Sequence, residues 1–189
     1  MNPVLWLVPA AAVVGWSVHA YNRMVGLGKR AQAAWADIDA QLKRRHDLVP
    51  ALVETVKGYA GHEQRTLDEV IRLRATAVRA REQVQPEGGV AASEGQLVGA
   101  LRGLFALAES YPELKASERF GQLIEQLTEI EDRLQDARRY YNAVVRDLNT
   151  NLARFPDLLV ARLAGFAPRQ FFKLDNALER RAVEVDWNA

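Results

Sequence analysis

The chain has 189 residues, a length that suggests one domain with attachments. Its 25 Lys and Arg residues nearly balance 24 Asp and Glu residues, so the net charge of +1 gives no general affinity for polyanions and implies no nucleic-acid partner. The absence of Cys excludes thiol catalysis, thiolate metal sites and disulfides, and it leaves the redox compartment undecided.

The chain opens with an apolar segment, and Arg23 is its first charged residue. A helix that ends just before Arg23 would be about 33 Å long, enough to cross a hydrocarbon core of about 30 Å. A secretory signal peptide is one alternative, but it needs a positively charged start that this segment lacks. A buried core helix is the other alternative. We predict that residues 3–22 form an uncleaved, single-pass transmembrane anchor.

Basic residues follow the predicted span, at Arg23, Lys29 and Arg30, and none precedes it. Because Lys and Arg near a span tend to stay cytoplasmic, we expect the large domain to lie inside the cell, on the inner membrane of a bacterium.

The sequence "GLGKRA" at residues 26–31 matches a loose dinucleotide-binding pattern, which has meaning only between a strand and a helix. We expect it to be a flexible joint below the membrane, with Lys29 and Arg30 near anionic headgroups.

Helical periodicity dominates after the anchor. Apolar residues on steps of three and four predict a buried seam along a helix of about 29 residues, from Ala31 to Tyr59. The seam consists of Trp35, Ile38, Leu42, Val49, Leu52, Val56 and Tyr59. Arg45 interrupts it. Since a buried Arg is costly unless it is paired, we expect Arg45 to meet a carboxylate or carbonyl groups from a facing helix, the alternative being a seam open to water.

Pro50 lies inside this first predicted helix and indicates a kink near Asp47, while Gly58 and Gly61 indicate its end. A second helix is expected over residues 62–84, because apolar residues recur there at helical spacing. Its inward side chains are expected at Leu67, Val70, Ile71 and Val78.

The segment "QPEGGVAASEG" at residues 85–95 contains Gly, Pro and Ser without periodicity and therefore predicts a surface loop. Ser93 is a candidate N-cap for a third helix. The inward residues of that helix are expected to be Leu97, Leu101, Leu104, Phe105 and Ala108. Pro112 cannot continue the helix, so the chain is expected to break there.

A fourth helix is expected after Ser117, which is a candidate N-cap. Its apolar seam contains Phe120, Leu123, Leu127, Ile130, Leu134, Ala137, Tyr141, Val144, Leu148 and Phe155, with Asn151 as a polar member. From Ser117 to Phe155 such a helix would be about 58 Å long, so it needs long antiparallel neighbours. The sequence therefore predicts an all-α protein, with an N-terminal transmembrane helix followed by an elongated antiparallel helical bundle.

No assembled catalytic, cofactor-binding or metal site is recognisable, and we predict that the protein is not an enzyme. His62 and Glu63 begin a zinc motif that fails at Thr66, although a metal site of His46, His62 and a carboxylate remains an alternative. The acidic cluster lacks the Glu-x-x-His partners of a di-iron bundle and is expected to form a solvated face. This cluster consists of Glu125, Glu129, Glu131, Asp132 and Asp136.

Phe166, Phe171 and Phe172 lie in a segment punctuated by Pro and Gly, and such a concentration of aromatic residues needs cover. We expect these residues to fold back and cap the open end of the bundle, the alternative being a surface for a partner.

The chain contains, in order, "AWADIDAQLKRRHDLVPALVETVKGYAGHE", "YPELKASERFGQLIEQL", "DARRYYNAVVRDLNTNLARFP" and "GFAPRQFF". These segments resemble the signature regions of the LemA family of bacterial membrane-anchored proteins. The resemblance implies a transmembrane helix followed by a long antiparallel helical bundle. It implies no enzymatic reaction and no catalytic residue. Family roles are scaffolding or envelope-associated, in some cases alongside a membrane metalloprotease of the HtpX type.

These observations give an anchor at residues 1–22, a LemA-like bundle at 23–172 and a C-terminal tail at 173–189. The expected function is a non-enzymatic, membrane-tethered scaffold that recruits other envelope proteins. The alternative is a regulator or adaptor of a membrane protease or envelope stress system, with contacts through Lys43, Arg44 and the loop around Glu87. Small residues at 10–12 and 15 of the span also allow a homo-oligomer.

Overall fold

The computed structural model describes residues 4–83 and 88–173, and within these ranges the protein is helical and contains no β-strand. The helices in this part of the chain are α1 (Val4–Lys57), α2 (Gln64–Glu82), α3 (Gly88–Ala108), α4 (Pro112–Lys115), α5 (Glu118–Ala153) and α6 (Asp157–Leu163). The prediction of an all-α fold is confirmed.

The chain divides into two compact units, and both α1 and α5 contribute residues to each of them. The first unit contains the described residues up to Ala40 together with Leu134–Phe171. The second unit contains the described residues of Gln41–Arg133 together with Phe172 and Lys173.

In the first unit, α1 and α5 are antiparallel. The rings of Trp35 and Tyr141 pack at a centroid distance of 5.6 Å. Nearer the start of α1, Met24 shares a buried apolar cluster with Leu148 and Leu152 of α5. Residue numbers thus decrease along α1 as they increase along α5, which establishes the antiparallel direction.

In the second unit, the C-terminal part of α1 packs with α2, α3 and the N-terminal part of α5 around one apolar core. The buried side chains of this core include Val49, Leu52, Val56, Leu67, Val70, Leu73, Leu97, Leu101, Leu104, Leu114, Phe120, Leu123 and Leu127. Most of them were predicted from helical spacing, because residues three and four positions apart share one face of a helix.

The predicted helix ends are confirmed at three places. Lys57 is the last residue of α1, directly before Gly58. Pro112 is the first residue of α4, where its missing N–H has no consequence. The backbone N–H of Phe120 donates to Ser117 Oγ at 3.5 Å, so Ser117 caps α5 as expected.

Two predictions of irregular structure are wrong. Residues 26–31 lie inside α1 and form no joint. Residues 88–95 belong to α3 instead of a surface loop, while residues 85–87 lie outside the described ranges. Ser93 is consequently no N-cap, and its hydroxyl donates to the carbonyl oxygens of Gly89 and Val90 within the helix. Burial of Val90 and Ala91 outweighs the weak helix propensity of the neighbouring glycines.

Three residues predicted to face inward are exposed: Tyr59 is 44% exposed, Ile71 is 50% and Phe155 is 74%. Tyr59 and Phe155 lie beyond the ends of α1 and α5, where helical spacing no longer describes the chain. On α2 the buried face passes through Leu67, Val70, Leu73 and Ala77, which leaves Ile71 at its edge.

Among the residues that the structure describes, none of the helices combines the length and the apolar character needed to cross a membrane. Pro3, the first residue of the predicted span, lies outside the described ranges, as do residues 174–189 of the predicted tail.

The C-terminal segment of the first unit folds back onto α1 and α5, as predicted for Phe166, whereas Phe171 is 40% exposed. The ring of Phe166 packs against Tyr21 at a centroid distance of 5.6 Å. Asn149 donates to the carbonyl oxygen of Arg169 at 2.8 Å and accepts from its backbone N–H at 2.9 Å. The hydroxyl of Tyr141 donates to the carbonyl oxygen of Gln170 at 3.1 Å. Side chains of α5 therefore hold the extended backbone that follows α6.

Phe172 and Phe171 are neighbours in the chain and provide a matched test of burial, because Phe172 is 0% exposed and Phe171 is 40% exposed. We expect Phe172→Ala to lower the free energy of unfolding by about 3–5 kcal/mol, since it leaves a cavity the size of a ring. Phe171→Ala should have a much smaller effect in the same chemical denaturation experiment. Equal effects of the two substitutions would show that Phe172 is not packed in the core.

Candidate functional site

A charged side chain lies within the apolar seam of α1. Arg45 is 0% exposed, and its guanidinium contacts two carboxylates from other helices. Arg45 Nη2 is 2.5 Å from Glu94 Oε2 on α3, and Arg45 Nη1 is 2.5 Å from Glu131 Oε1 on α5. The expectation that Arg45 meets a carboxylate from a facing helix is confirmed.

The neighbouring residue extends this arrangement. His46 is 2% exposed, and its Nε2 lies 2.7 Å from Glu94 Oε1. An ionised Glu94 can only accept, so the bond requires a proton on His46 Nε2. The carbonyl oxygen of His46 accepts a hydrogen bond from Arg74 Nε of α2 at 2.6 Å. We call Arg45, His46, Arg74, Glu94 and Glu131 the Arg45 network.

The network joins all four long helices of the second unit. Glu94 is 0% exposed. One of its carboxylate oxygens contacts Arg45, and the other contacts His46. Glu131 keeps contact with solvent, with 40% of its side chain exposed. Burying a charge costs several kcal/mol, and the direct contacts between opposite charges offset that cost only when their geometry is held closely. The network therefore favours one alignment of α1, α3 and α5 over alternatives.

Burial determines what this arrangement can do chemically. No molecule from solution can reach the Arg45 guanidinium or the Glu94 carboxylate without separating helices, because both are fully buried. Arg45 Nε and His46 Nδ1 are also buried and have no hydrogen-bond partner in the described part of the chain. The geometry supports a structural role for these charges.

The other candidate residues remain apart from the network. His62 is exposed in the turn after α1, whereas His46 is buried against Glu94. Within residues 4–83 and 88–173 no group of three or more His, Asp or Glu side chains is arranged to hold a metal ion. The acidic cluster is exposed as predicted at Glu125, Glu129, Asp132 and Asp136. Glu131 is its exception, since it binds Arg45.

Sequence reasoning missed Glu94 because it was assigned to a loop. A signal was nevertheless present. Steps of three and four counted back from Leu101 and Leu97 reach Glu94 and then Val90, both of which are buried. The seam of α3 therefore carries a carboxylate at the level where the seam of α1 carries Arg45. Each seam contains one charged residue, Arg45 or Glu94, and comparing the two seams would have predicted their contact.

A second feature lies where α1 ends and α4 begins. A pocket of about 400 Å³ is lined by Gly58, Tyr59, Ser110, Tyr111, Pro112 and Glu113. Tyr59 is 44% exposed there, so an aromatic face and a phenolic hydroxyl are both available to a ligand. We call it the Tyr59 pocket.

The fold and the network define a class: an all-α protein whose antiparallel helices are locked by a buried, carboxylate-paired arginine. The sequence profile of the LemA family matches residues 34–187, and the chain belongs to this family. Magnetosome proteins MamQ 1 and MamQ 2 of Paramagnetospirillum magneticum are each 23% identical to it over 192 residues, covering 90% of this chain and 71% of theirs. Magnetosome protein MamQ of Magnetospirillum gryphiswaldense is 24% identical over 174 residues, covering 80% of this chain and 64% of its own.

The role of the network can be measured by removing one charge. We expect Glu94→Gln to lower the free energy of unfolding by about 3–5 kcal/mol, since it leaves Arg45 buried with a weaker partner. Urea denaturation of the full chain measures this difference.

Glu69→Gln is the matched control. Glu69 accepts hydrogen bonds from Arg72 at 2.7 and 3.0 Å, and these bonds lower the pKa of Glu69, but the pair is exposed to water. Exposed pairs contribute little, so this variant should unfold like the native protein. A Glu94→Gln variant as stable as the control would contradict the structural role of the network.

Apolar replacement of the pair gives the complementary result. Replacing a buried ion pair by hydrophobic residues of similar volume is often neutral or stabilising. We therefore expect the double variant Arg45→Met with Glu94→Met to recover most of the stability lost by Glu94→Gln. If the double variant unfolds more readily than Glu94→Gln, the charged pair stabilises the protein more than apolar residues of similar volume can.

Proposed function

We propose that the protein is a non-enzymatic helical scaffold, tethered to the bacterial inner membrane by a single span at residues 3–22, that recruits other envelope proteins. The observation that carries the tether is an exposed aliphatic surface near the start of α1. Leu7, Val8, Val13, Val14 and Val18 are between 55% and 70% exposed. A run of large aliphatic side chains left uncovered on one helix fits contact with lipid.

The charges beyond this surface support the orientation. Arg23, Lys29 and Arg30 follow the aliphatic run on α1 and are all exposed. Lys and Arg close to a span favour the cytoplasmic side, so in our proposal the second unit lies in the cytoplasm.

A non-enzymatic role is supported by the Arg45 network. Its buried charged groups form ion pairs and hydrogen bonds between helices, and Glu94 contacts both Arg45 and His46. The similarity to magnetosome proteins supports a membrane-associated, non-enzymatic role, to which we add the recruitment of partners as our proposal.

We propose the Tyr59 pocket as the contact for a partner. It is concave, has an aromatic wall, and exposes Tyr59 beyond the end of α1. A rigid two-torsion aromatic side chain is well suited to bind a protein partner, since little conformational entropy is lost. A membrane metalloprotease of the HtpX type is the partner in the alternative function, that of a regulator or adaptor. A second copy of the chain is the partner in a homo-oligomeric scaffold.

The tether can be tested by placing charges on the exposed aliphatic surface. Two lysines, Val13→Lys and Val14→Lys, should release the protein from membranes in alkaline carbonate, because each costs about 2.5–3.5 kcal/mol at the centre of a span. The native chain should resist extraction.

The matched control places lysines at Ile71 and Tyr140, which are 50% and 53% exposed and lie outside the proposed span. This variant should remain in the membrane fraction. Carbonate extraction of the native chain would contradict the proposed tether.

Recruitment can be tested with a photo-cross-linking amino acid at Tyr59, compared with the same amino acid at Tyr140. The two tyrosines are 44% and 53% exposed, so each side chain can reach a neighbour. We expect specific products from Tyr59 in living cells and few from Tyr140. A single protease product would favour the regulatory function, and products between copies of the chain would favour the scaffold. Identical product patterns from both positions would rule out the Tyr59 pocket as the contact.

A further inference from the structure

The short helix α6 of the first unit carries an apolar face that the protein does not cover. Leu159 is 50% exposed and Leu163 is 91% exposed, and they are one helical turn apart on the same side. Phe155, just before α6, is 74% exposed. Three large apolar side chains so close together would be unfavourable in water, so the face calls for an apolar environment.

The opposite side of α6 fixes its position on the first unit. Ala161 is 3% exposed and belongs to one buried cluster with Ala20 and Met24 of α1. Trp16 and Val160 pack against the same cluster. Helix α6 therefore lies beside the part of α1 that directly follows the exposed aliphatic surface, whose last member is Val18.

Distances along α1 place this level at the membrane interface. The proposed span ends at residue 22, and Arg23, the first charged residue, lies about 7.5 Å along the helix from Val18. The headgroup region on each side of a bilayer is about 5–8 Å thick. Ala20 and Met24 lie on either side of the end of the proposed span, so the cluster that holds α6 lies at the boundary between acyl chains and headgroups.

A basic pocket lies at the same level. It has a volume of about 570 Å³, and its lining includes Arg23, Arg30 and Arg154 but only one acidic residue, Asp147, which leaves a formal charge of +2. None of the three arginines forms an ion pair with a described residue. One guanidinium group can donate two parallel hydrogen bonds to two oxygens of a phosphate, so the pocket suits a phosphate ester.

We propose that α6 and the basic pocket together form an interfacial membrane-binding surface that selects anionic phospholipid headgroups. This inference rests on the proposed tether. Phe155, Leu159 and Leu163 enter the boundary between headgroups and acyl chains, as the apolar face of an interfacial helix does. The arginines of the pocket bind the phosphate of an anionic lipid beside it. The tether and this surface then fix the tilt and rotation of the first unit on the membrane.

Depth measurements test the surface separately from the tether. The chain contains no Cys, so single cysteines at Val14, Leu163 and Ile71 can each carry one nitroxide in the full-length protein. The protein is reconstituted into vesicles of phosphatidylglycerol and phosphatidylcholine. Collision rates with oxygen, which is enriched in lipid, and with a water-soluble nickel complex then report the depth of each label.

We expect the Val14 label in the hydrocarbon, the Leu163 label at the interface and the Ile71 label in water. A Leu163 label as accessible to nickel as the Ile71 label, with Val14 still in the hydrocarbon, would overturn the interfacial surface and leave the tether standing. A Val14 label in water would overturn the tether and the inference together.

Lipid selectivity tests the pocket. We expect the native chain to retain phosphatidylglycerol in preference to phosphatidylcholine when it is purified in neutral detergent, and Arg23→Gln to reduce that preference about fivefold. The triple variant with Arg30→Gln and Arg154→Gln should abolish it, while the Val14 label confirms that the span is still inserted.

The control variant removes the same charge elsewhere, through Arg65→Gln, Arg79→Gln and Arg102→Gln, all at exposed positions of the second unit. It should keep the native preference. Equal retention of both lipids by the native chain would overturn the proposal. So would loss of the preference in millimolar inorganic phosphate, since the pocket would then bind free phosphate instead of a headgroup.

Discussion

The second unit depends on one constraint: a permanently charged guanidinium occupies a position in an apolar seam. Guanidinium groups stay protonated in proteins, and the Arg45 side chain is fully buried. The surrounding helices must therefore supply carboxylates at that level, which they do through Glu94 and Glu131. An apolar seam alone tolerates sliding by a turn of helix, whereas a buried charge with fixed partners does not. The network thus gives the packing its specificity.

The first unit uses its polar and apolar groups differently. It buries apolar side chains such as Met24, Tyr141 and Leu148, but it leaves large aliphatic side chains exposed on α1 and α6. Such a surface is ill suited to water and well suited to a bilayer, with arginines where headgroups are expected. In the proposed function the exposed aliphatic surface of the first unit contacts lipid, and the Tyr59 pocket of the second unit binds a partner.

Sequence periodicity was sufficient for the helices, because apolar residues that recur on steps of three and four over many turns share a face only in a helix. It also identified Arg45 as a residue that needed partners. It failed where local composition and burial disagree. Gly88, Gly89 and Gly95 indicated a loop, so the predicted start of the helix that carries Glu94 lay C-terminal to its actual start. Glu131 was hidden among exposed acidic neighbours, since its position gives no sign that it turns towards Arg45. The pairing depends on how helices far apart in the chain are aligned, which spacing within one helix does not reveal.

The packing of the second unit depends on direct contact between Arg45 and Glu94 inside the protein. Solid-state NMR on the full chain reconstituted in membranes, with labelled arginine and glutamate, measures the dipolar coupling between Arg45 Nη and the carboxylate carbon of Glu94. The structure predicts a measurable coupling, because Nη2 lies 2.5 Å from Oε2, which is bonded to that carbon, and it predicts slow exchange of the guanidinium protons with water. A guanidinium that exchanges rapidly and shows no coupling to Glu94 would show that the two side chains are not in contact.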